Sequence, residues 1–123
     1  MIIGIGTDIV DIGRISKSVE NERFVEKVFS KNEISYCESK INKAENYAAR
    51  FAAKEAFSKA LGLGFRGEIA LTEIEVVNDN VGKPSIITSG KTLAFISNSA
   101  VKVIHVSLSH TKDMAMATVI LEG

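Results

Sequence analysis

The sequence is 123 residues long, 46% hydrophobic and carries a single proline, which fits one globular domain with a modest core. Fifteen basic and fifteen acidic residues cancel, which argues against a domain that holds nucleic acid mainly by bulk charge. Cys37 is the only cysteine, no apolar run approaches the roughly 18 residues of a membrane span, and the N-terminus lacks a basic region with a cleavage site, so a disulfide-free cytoplasmic protein that does not engage membrane is expected.

The chain opens MIIGIGTDIVDIGRI, and residues 2–10 read as an Ile-rich buried strand. Alternation puts Gly4, Gly6 and Asp8 on one side and Ile3, Ile5, Thr7 and Ile9 on the other. Two glycines on the face of an acid leave room for a ligand or another chain segment to approach the backbone. A dinucleotide-type G-x-G-x-x-G starting at Gly4 would need glycine where Ile9 stands, and no Walker-type phosphate loop is present. Asp11 is placed to cap a helix over 12–20, with Arg14 and Lys17 on one side of it. A short helix over 23–28 would bury Phe24, Val28 and Phe29. Ser30 with Glu33 is a capping-box pattern that opens a helix near 31–39.

A long Ala-rich helix follows over 43–61, ended by Gly62 and Gly64, with a glycine-rich loop over 62–68. Residues 69–78 alternate imperfectly through Ile69, Leu71, Ile74 and Val76 and read as a strand. NDNVGKP is a turn, Ile86 and Ile87 mark a short strand, and 90–98 reads as a helix with Leu93, Ala94 and Phe95 inward. Two strands, 101–109 and 114–121, are joined by a turn at 110–113. The whole predicts a small single-domain α+β fold, with a mainly antiparallel sheet packed on a long central helix.

The long helix carries the most informative residues. The face through Glu55 also holds Ala48, Phe51, Ala52, Ser58 and Lys59, because residues three and four apart share a side. A carboxylate on so apolar a face needs a cation, and a metal ion is one choice. An ordinary Glu55–Lys59 helix pair, contributing about 0.3–0.5 kcal/mol when exposed, is the other. Asp8 either joins Glu55 as a hard oxygen ligand or caps the segment after the strand, although Asp11 is placed to do that. Arg50 and Lys54 lie on a different face from Glu55, as a solvated basic strip or with Arg50 reaching a phosphate or a partner protein. Phe51 and Phe57 are expected in the core. His105, Ser107 and Ser109 share one side of their strand, lining a nucleotide pocket or facing solvent or a neighbouring subunit. Lys83 tops a rigid Gly-Lys-Pro turn. A Ser-His-Asp hydrolase would need a G-x-S-x-G elbow, which is missing.

IGTD at 5–8 and FAAKEAFSK at 51–59 resemble the two-part signature of the phosphopantetheinyl transferases: an I-G-x-D strand, a gap of forty-odd residues, then an aromatic-x-x-K-E-x-x-x-K helix. Asp8 and Glu55 are 47 positions apart, as that pattern requires. The short length and the ending HVSLSHTKDMAMATVIL resemble the single-domain subgroup, the holo-acyl-carrier-protein synthases. The resemblance implies transfer of 4′-phosphopantetheine from coenzyme A to a serine of apo acyl carrier protein, releasing adenosine 3′,5′-bisphosphate. It implies that Asp8 and Glu55 hold Mg²⁺, with Mn²⁺ as the alternative, against the coenzyme pyrophosphate, and that Lys59 assists the leaving group. It further implies that the segment with His105, Ser107, Ser109, His110 and Thr111 helps hold the coenzyme; of the residues outside that segment, Arg50 is placed to reach a phosphate, and Lys83 either touches a coenzyme phosphate or tops a plain solvent turn. Arg14, with Lys17 and Arg23 beside it, would dock the acidic carrier. Members of this size are typically trimers with active sites between subunits, which gives so small a domain a second wall.

Two other classes compete. A non-catalytic module would bind a nucleotide or an acidic partner through the basic first helix and need no metal. A metal-dependent phosphohydrolase would use the same acids but release its product to water.

Overall fold

The Ile-rich opening forms strand β1, Ile2–Asp11, and Asp11 then caps helix α1, Ile12–Ser18, by accepting a hydrogen bond from the Arg14 amide. Helix α2, Glu22–Val28, is capped by Asn21, and α3, Lys31–Glu38, opens with the expected Ser30–Glu33 capping box. Helix α4, Lys43–Leu61, runs through the middle of the molecule and ends where Gly62 adopts a left-handed conformation. The structure, a computed structural model, describes residues 1–62 and 69–123, so the expected glycine-rich loop lies, beyond Gly62, outside the described residues. Strands β2, Ile74–Asn78, and β3, Pro84–Thr88, form a hairpin; helix α5, Gly90–Ser97, leads to β4, Val103–His110, and β5, Met114–Glu122.

The main sheet has the order β1-β5-β4 with both pairings antiparallel, and β2-β3 is a separate two-stranded antiparallel ribbon. Helix α4 lies across the inner face of the main sheet. Its Ala52, Ala53, Ala56 and Phe57 pack in one core with Ala117, Val119 and Leu121 of β5 and Ile74 and Val76 of β2. A second core gathers Ile15, Val28, Phe29, Cys37, Tyr47 and Ala48 under the first three helices. Burial pushes the Cys37 thiol up to about 12, which leaves it inert.

The two glycines of β1 make room for α4, not for a ligand. A Cβ on Gly6 would lie 2.0 Å from the Ala56 carbonyl oxygen, and one on Gly4 would lie 2.3 Å from that of Ala60. Two strand residues and four helix residues both advance about 6–7 Å, so strand and helix stay in step along their length. The next residue on that face of β1 is Asp8. Gly6→Ala should push helix and strand apart and lower stability by about 1–3 kcal/mol or more. Urea denaturation would measure this, and an unchanged midpoint would show that the contact yields freely.

Two expectations about the later chain need correction. Residues 69–78 do not form one strand: a 3-10 turn, Leu71–Glu73, precedes β2. The three-residue step from Leu71 to Ile74, which spoiled the alternation, is where that turn sits. It aims the Glu73 carboxylate at the start of α5, where it accepts from the Thr92 amide and hydroxyl. Helix α5 is also rotated from the expected face. Thr92 and Ile96, four apart, are buried, Phe95 is half-buried, and Leu93 and Ala94 point outward with Leu93 46% exposed. The hydroxyl of Thr92 also accepts from the Ala70 amide, so hydrogen bonding decides which side of this helix faces in.

A buried ion pair ties the helical half to the ribbon. Lys54 and Glu33 are fully buried and 2.6 Å apart. Lys54 also donates to the carbonyls of Leu71 and Ile74, and Glu33 accepts from the amides of Ser30 and Val76. The strip through Arg50 and Lys54, one of the alternatives for this face, is therefore buried and not solvated.

Candidate active site

Asp8, Glu55 and Lys59 meet at the edge of the contact between β1 and α4. The Lys59 ammonium donates to Asp8 Oδ1 at 2.8 Å and to the Thr7 carbonyl at 3.1 Å. Asp8 is 14% exposed and Lys59 54%, so the pair opens to solvent on the lysine side. The hydrogen bond from Lys59 to Asp8 raises the lysine above its ordinary value. Glu55, one helical turn before Lys59, accepts no hydrogen bond among the described residues. Burial, and then the negative charge of Asp8, push its carboxyl above the usual carboxylate value; Lys59 and Arg14 pull weakly the other way. Two carboxylates close enough to repel and partly out of water suit a hard divalent cation. Mg²⁺ is commonly held by one or two carboxylates, with waters and substrate phosphates completing its shell.

A second group of predicted residues meets elsewhere. A cleft of about 280 Å³ is lined by Arg50, Asn42, Asn46 and Asn78, by Ser109 and His110 at the end of β4, and by Gly82 and Pro84 on either side of Lys83. Arg50 is only 3% exposed. Its guanidinium stacks 4.2 Å from the Tyr36 ring centre and donates to Asn78 Oδ1 at 2.7 Å, while its Nε has no partner among the described residues. A buried guanidinium with an unpartnered Nε is suited to an anion. His110 Nε2 lies 3.1 Å from Glu45 Oε1. The Lys83 amide is held by Asp79, and the exposed side chain extends from the turn. Thr111 accepts from the amides of Asp113 and Met114, so its hydroxyl closes the β4–β5 turn.

His105 and Ser107 join neither group within one chain. Register places Leu108 beside Ala117 and Val106 beside Val119 on the face covered by α4, which leaves His105 and Ser107 on the outer face. His105 pairs there with Glu122, drawing that carboxylate below its ordinary value. Arg14 and Lys17 are exposed on α1, flanking an open groove that begins at Asp11, and Arg14 is near enough to influence Glu55. Arg23 is exposed in the first turn of α2.

A profile described as the 4′-phosphopantetheinyl transferase superfamily matches residues 4–120. The chain belongs to this superfamily. A holo-[acyl-carrier-protein] synthase of Clostridium tetani is 50% identical over 125 residues, covering 100% of this chain and 98% of its own. The crystal structure of the holo-[acyl-carrier-protein] synthase of Neisseria meningitidis superposes with a TM-score of 0.93 at 31% identity, over 100% of both chains. A Bacillus anthracis holo-(acyl-carrier-protein) synthase structure, described as a complex with CoA (3′,5′-ADP), gives 0.82 at 40% identity, covering 98% of this chain and 96% of that one.

As a phosphopantetheinyl transferase, the chain carries both signature halves where strand and central helix touch: Asp8 from IGTD, Glu55 and Lys59 from KEAFSK. Sequence reasoning missed the asparagines of the cleft and the Tyr36 stack. Asn42, Asn46 and Arg50 repeat every four residues, a polar stripe that the helical period exposes. Asn78 and Tyr36 carry no such signal, because long-range folding alone brings them to Arg50. No helix among the described residues is long and apolar enough to cross a membrane.

Proposed function

We propose that this chain is a holo-acyl-carrier-protein synthase, which moves the 4′-phosphopantetheine arm of coenzyme A onto a serine of apo acyl carrier protein and releases adenosine 3′,5′-bisphosphate. The observation that carries this reading is the Asp8–Glu55–Lys59 cluster, formed by both signature halves in a chain of this superfamily. Asp8 and Glu55 would hold Mg²⁺, or Mn²⁺ in its place. The ion, when bound, supplies positive charge to the pyrophosphate and polarises the phosphorus under attack. Lys59 places a second cation, with a proton to give, beside the leaving phosphate. Glu55, or a water held at the acid pair, would take the proton of the incoming serine. The Arg50 guanidinium, with Ser109, His110 and the Lys83 turn, binds phosphate of the adenosine end of the coenzyme.

Those two groups of residues face different sides of one chain. Arg50 and Glu55 are five positions apart on α4, which turns them about 140° from one another. Asp8 is on the β1 edge of the sheet and His110 on the β4 edge, with β5 between. A second copy that brings its Arg50 cleft against this chain's acid pair resolves the geometry. The outer sheet face offers a surface for it: Ile5 is 65% and Ile9 60% exposed, with Ile3 and Met116 beside them. His105 and Ser107 lie on that face, where they would line the shared wall. A trimer follows from the family resemblance. Light scattering should return three times the 13.3 kDa of one chain, and a fully active monomer would contradict the shared site.

Arg14, with Lys17 and Arg23, presents positive charge to an acidic carrier beside the acid pair. Arg14→Ala should raise the KM for apo carrier several-fold at low salt and less at high salt. A loss of equal size at every ionic strength would assign Arg14 another role. A cytoplasmic setting belongs to the same reading. The reaction itself is tested by following adenosine 3′,5′-bisphosphate: its release should require both apo carrier and a divalent ion. Release without carrier would mark a hydrolase, and no release under any condition would mark a binding module.

A further inference from the structure

Lys59 is already bound to one of the two acids that the metal needs. Its ammonium lies 2.8 Å from Asp8 Oδ1 and is fixed by a second bond to the Thr7 carbonyl. Asp8 is nearly buried, whereas the lysine is half exposed on a flexible stem. Glu55 has no such partner among the described residues and is left facing the charge of Asp8. A dication held by both carboxylates would take Asp8 as a ligand, next to the ammonium already bound there. Two cations at that separation repel, and the smaller charge on the flexible stem is the one that moves.

We propose, building on the metal reading above, that Lys59 is a resident counter-ion that a divalent cation must displace from Asp8, so that metal loading and release of the ammonium toward the leaving phosphate are one event. Without metal, the ammonium keeps the acid pair from carrying uncompensated charge. With metal, the same ammonium leaves Asp8 for the solvent side, where a bound phosphate can meet it. A site built this way cannot load metal while keeping Lys59 bound to Asp8.

The test uses Mn²⁺ alone, with no coenzyme or carrier, and titrates the full chain by electron paramagnetic resonance. Lys59→Met keeps the stem and removes the charge, and it should bind Mn²⁺ about two- to fivefold tighter than wild type, the range set by a half-exposed ion pair. Lys59→Arg should stay near wild type. An unchanged or weaker affinity in Lys59→Met, with binding abolished in Asp8→Asn, would overturn the displacement and leave the metal site standing, with lysine and metal on separate oxygens of Asp8. No Mn²⁺ binding by any of these proteins would overturn the metal reading and this proposal together. A second readout needs no variant. Trace acetylation of the wild-type chain, quantified by peptide mass, should label Lys59 faster when Mg²⁺ is present, while buried Lys54 stays unlabelled in both conditions. Equal or slower labelling of Lys59 with Mg²⁺ would also count against displacement.

Discussion

Glu55→Gln should lower turnover by about 10²–10³-fold or more, the usual consequence of removing one charged group from a phosphoryl-transfer site, while the fold stays at least as stable as wild type. The second half of this expectation separates a site residue from a structural one. Burial and the neighbouring Asp8 hold the Glu55 carboxyl above its ordinary value, so its ionised form is disfavoured in the folded state. A carboxylate raised in this way contributes stability at low pH and loses it as pH rises through the raised value. At neutral pH the charge is therefore a burden that glutamine removes. Thermal unfolding without metal should show an equal or higher Tm for Glu55→Gln, and metal should raise the Tm of wild type more than that of the variant. Turnover within a few-fold of wild type would remove Glu55 from the reaction.

Lys54→Met should do the reverse, damaging the fold from a position next door. It leaves the Glu33 carboxyl fully buried and without its cation, a loss of about 3–5 kcal/mol out of the roughly 5–15 that hold a domain together. Urea denaturation would measure it, and a loss below about 1 kcal/mol would mean that water or a neighbour replaces the ammonium. Adding Glu33→Gln to Lys54→Met should recover part of the stability: it removes the buried charge, but its single acceptor oxygen can serve only one of the Ser30 and Val76 amides, which now donate to separate carboxylate oxygens. On the proposed reading, adjacent residues of the KE pair have separate duties: Lys54 holds α4 in place and Glu55 faces the reaction.

The sequence disclosed the parts of this arrangement that rest on local chemistry. The caps at Asp11 and Ser30, the bounds of α4 and the β4–β5 hairpin all follow from short-range signals, and the structure agrees with them. The acids and Lys59 were legible because they sit in two short motifs whose order and spacing resemble one family. Features that depend on long-range contact were not legible. The glycines of β1 offered room without saying for what, and only the packed helix answers. The face of α5 turned on the bond between Thr92 and Glu73, nineteen residues apart, and apolar periodicity gave no sign of it. The split between the acid pair and the Arg50 cleft was likewise hidden, because no reading of one strand reveals which sheet edge it will occupy.

The most direct measurement is the intact mass of an apo acyl carrier protein after incubation with this chain, coenzyme A and Mg²⁺. A gain equal to one phosphopantetheine, absent with a chelator and absent with Glu55→Gln, is the predicted result. An unchanged carrier mass with coenzyme A left intact, or with coenzyme A consumed, would contradict the transferase reading, the first in favour of a binding module and the second in favour of a hydrolase.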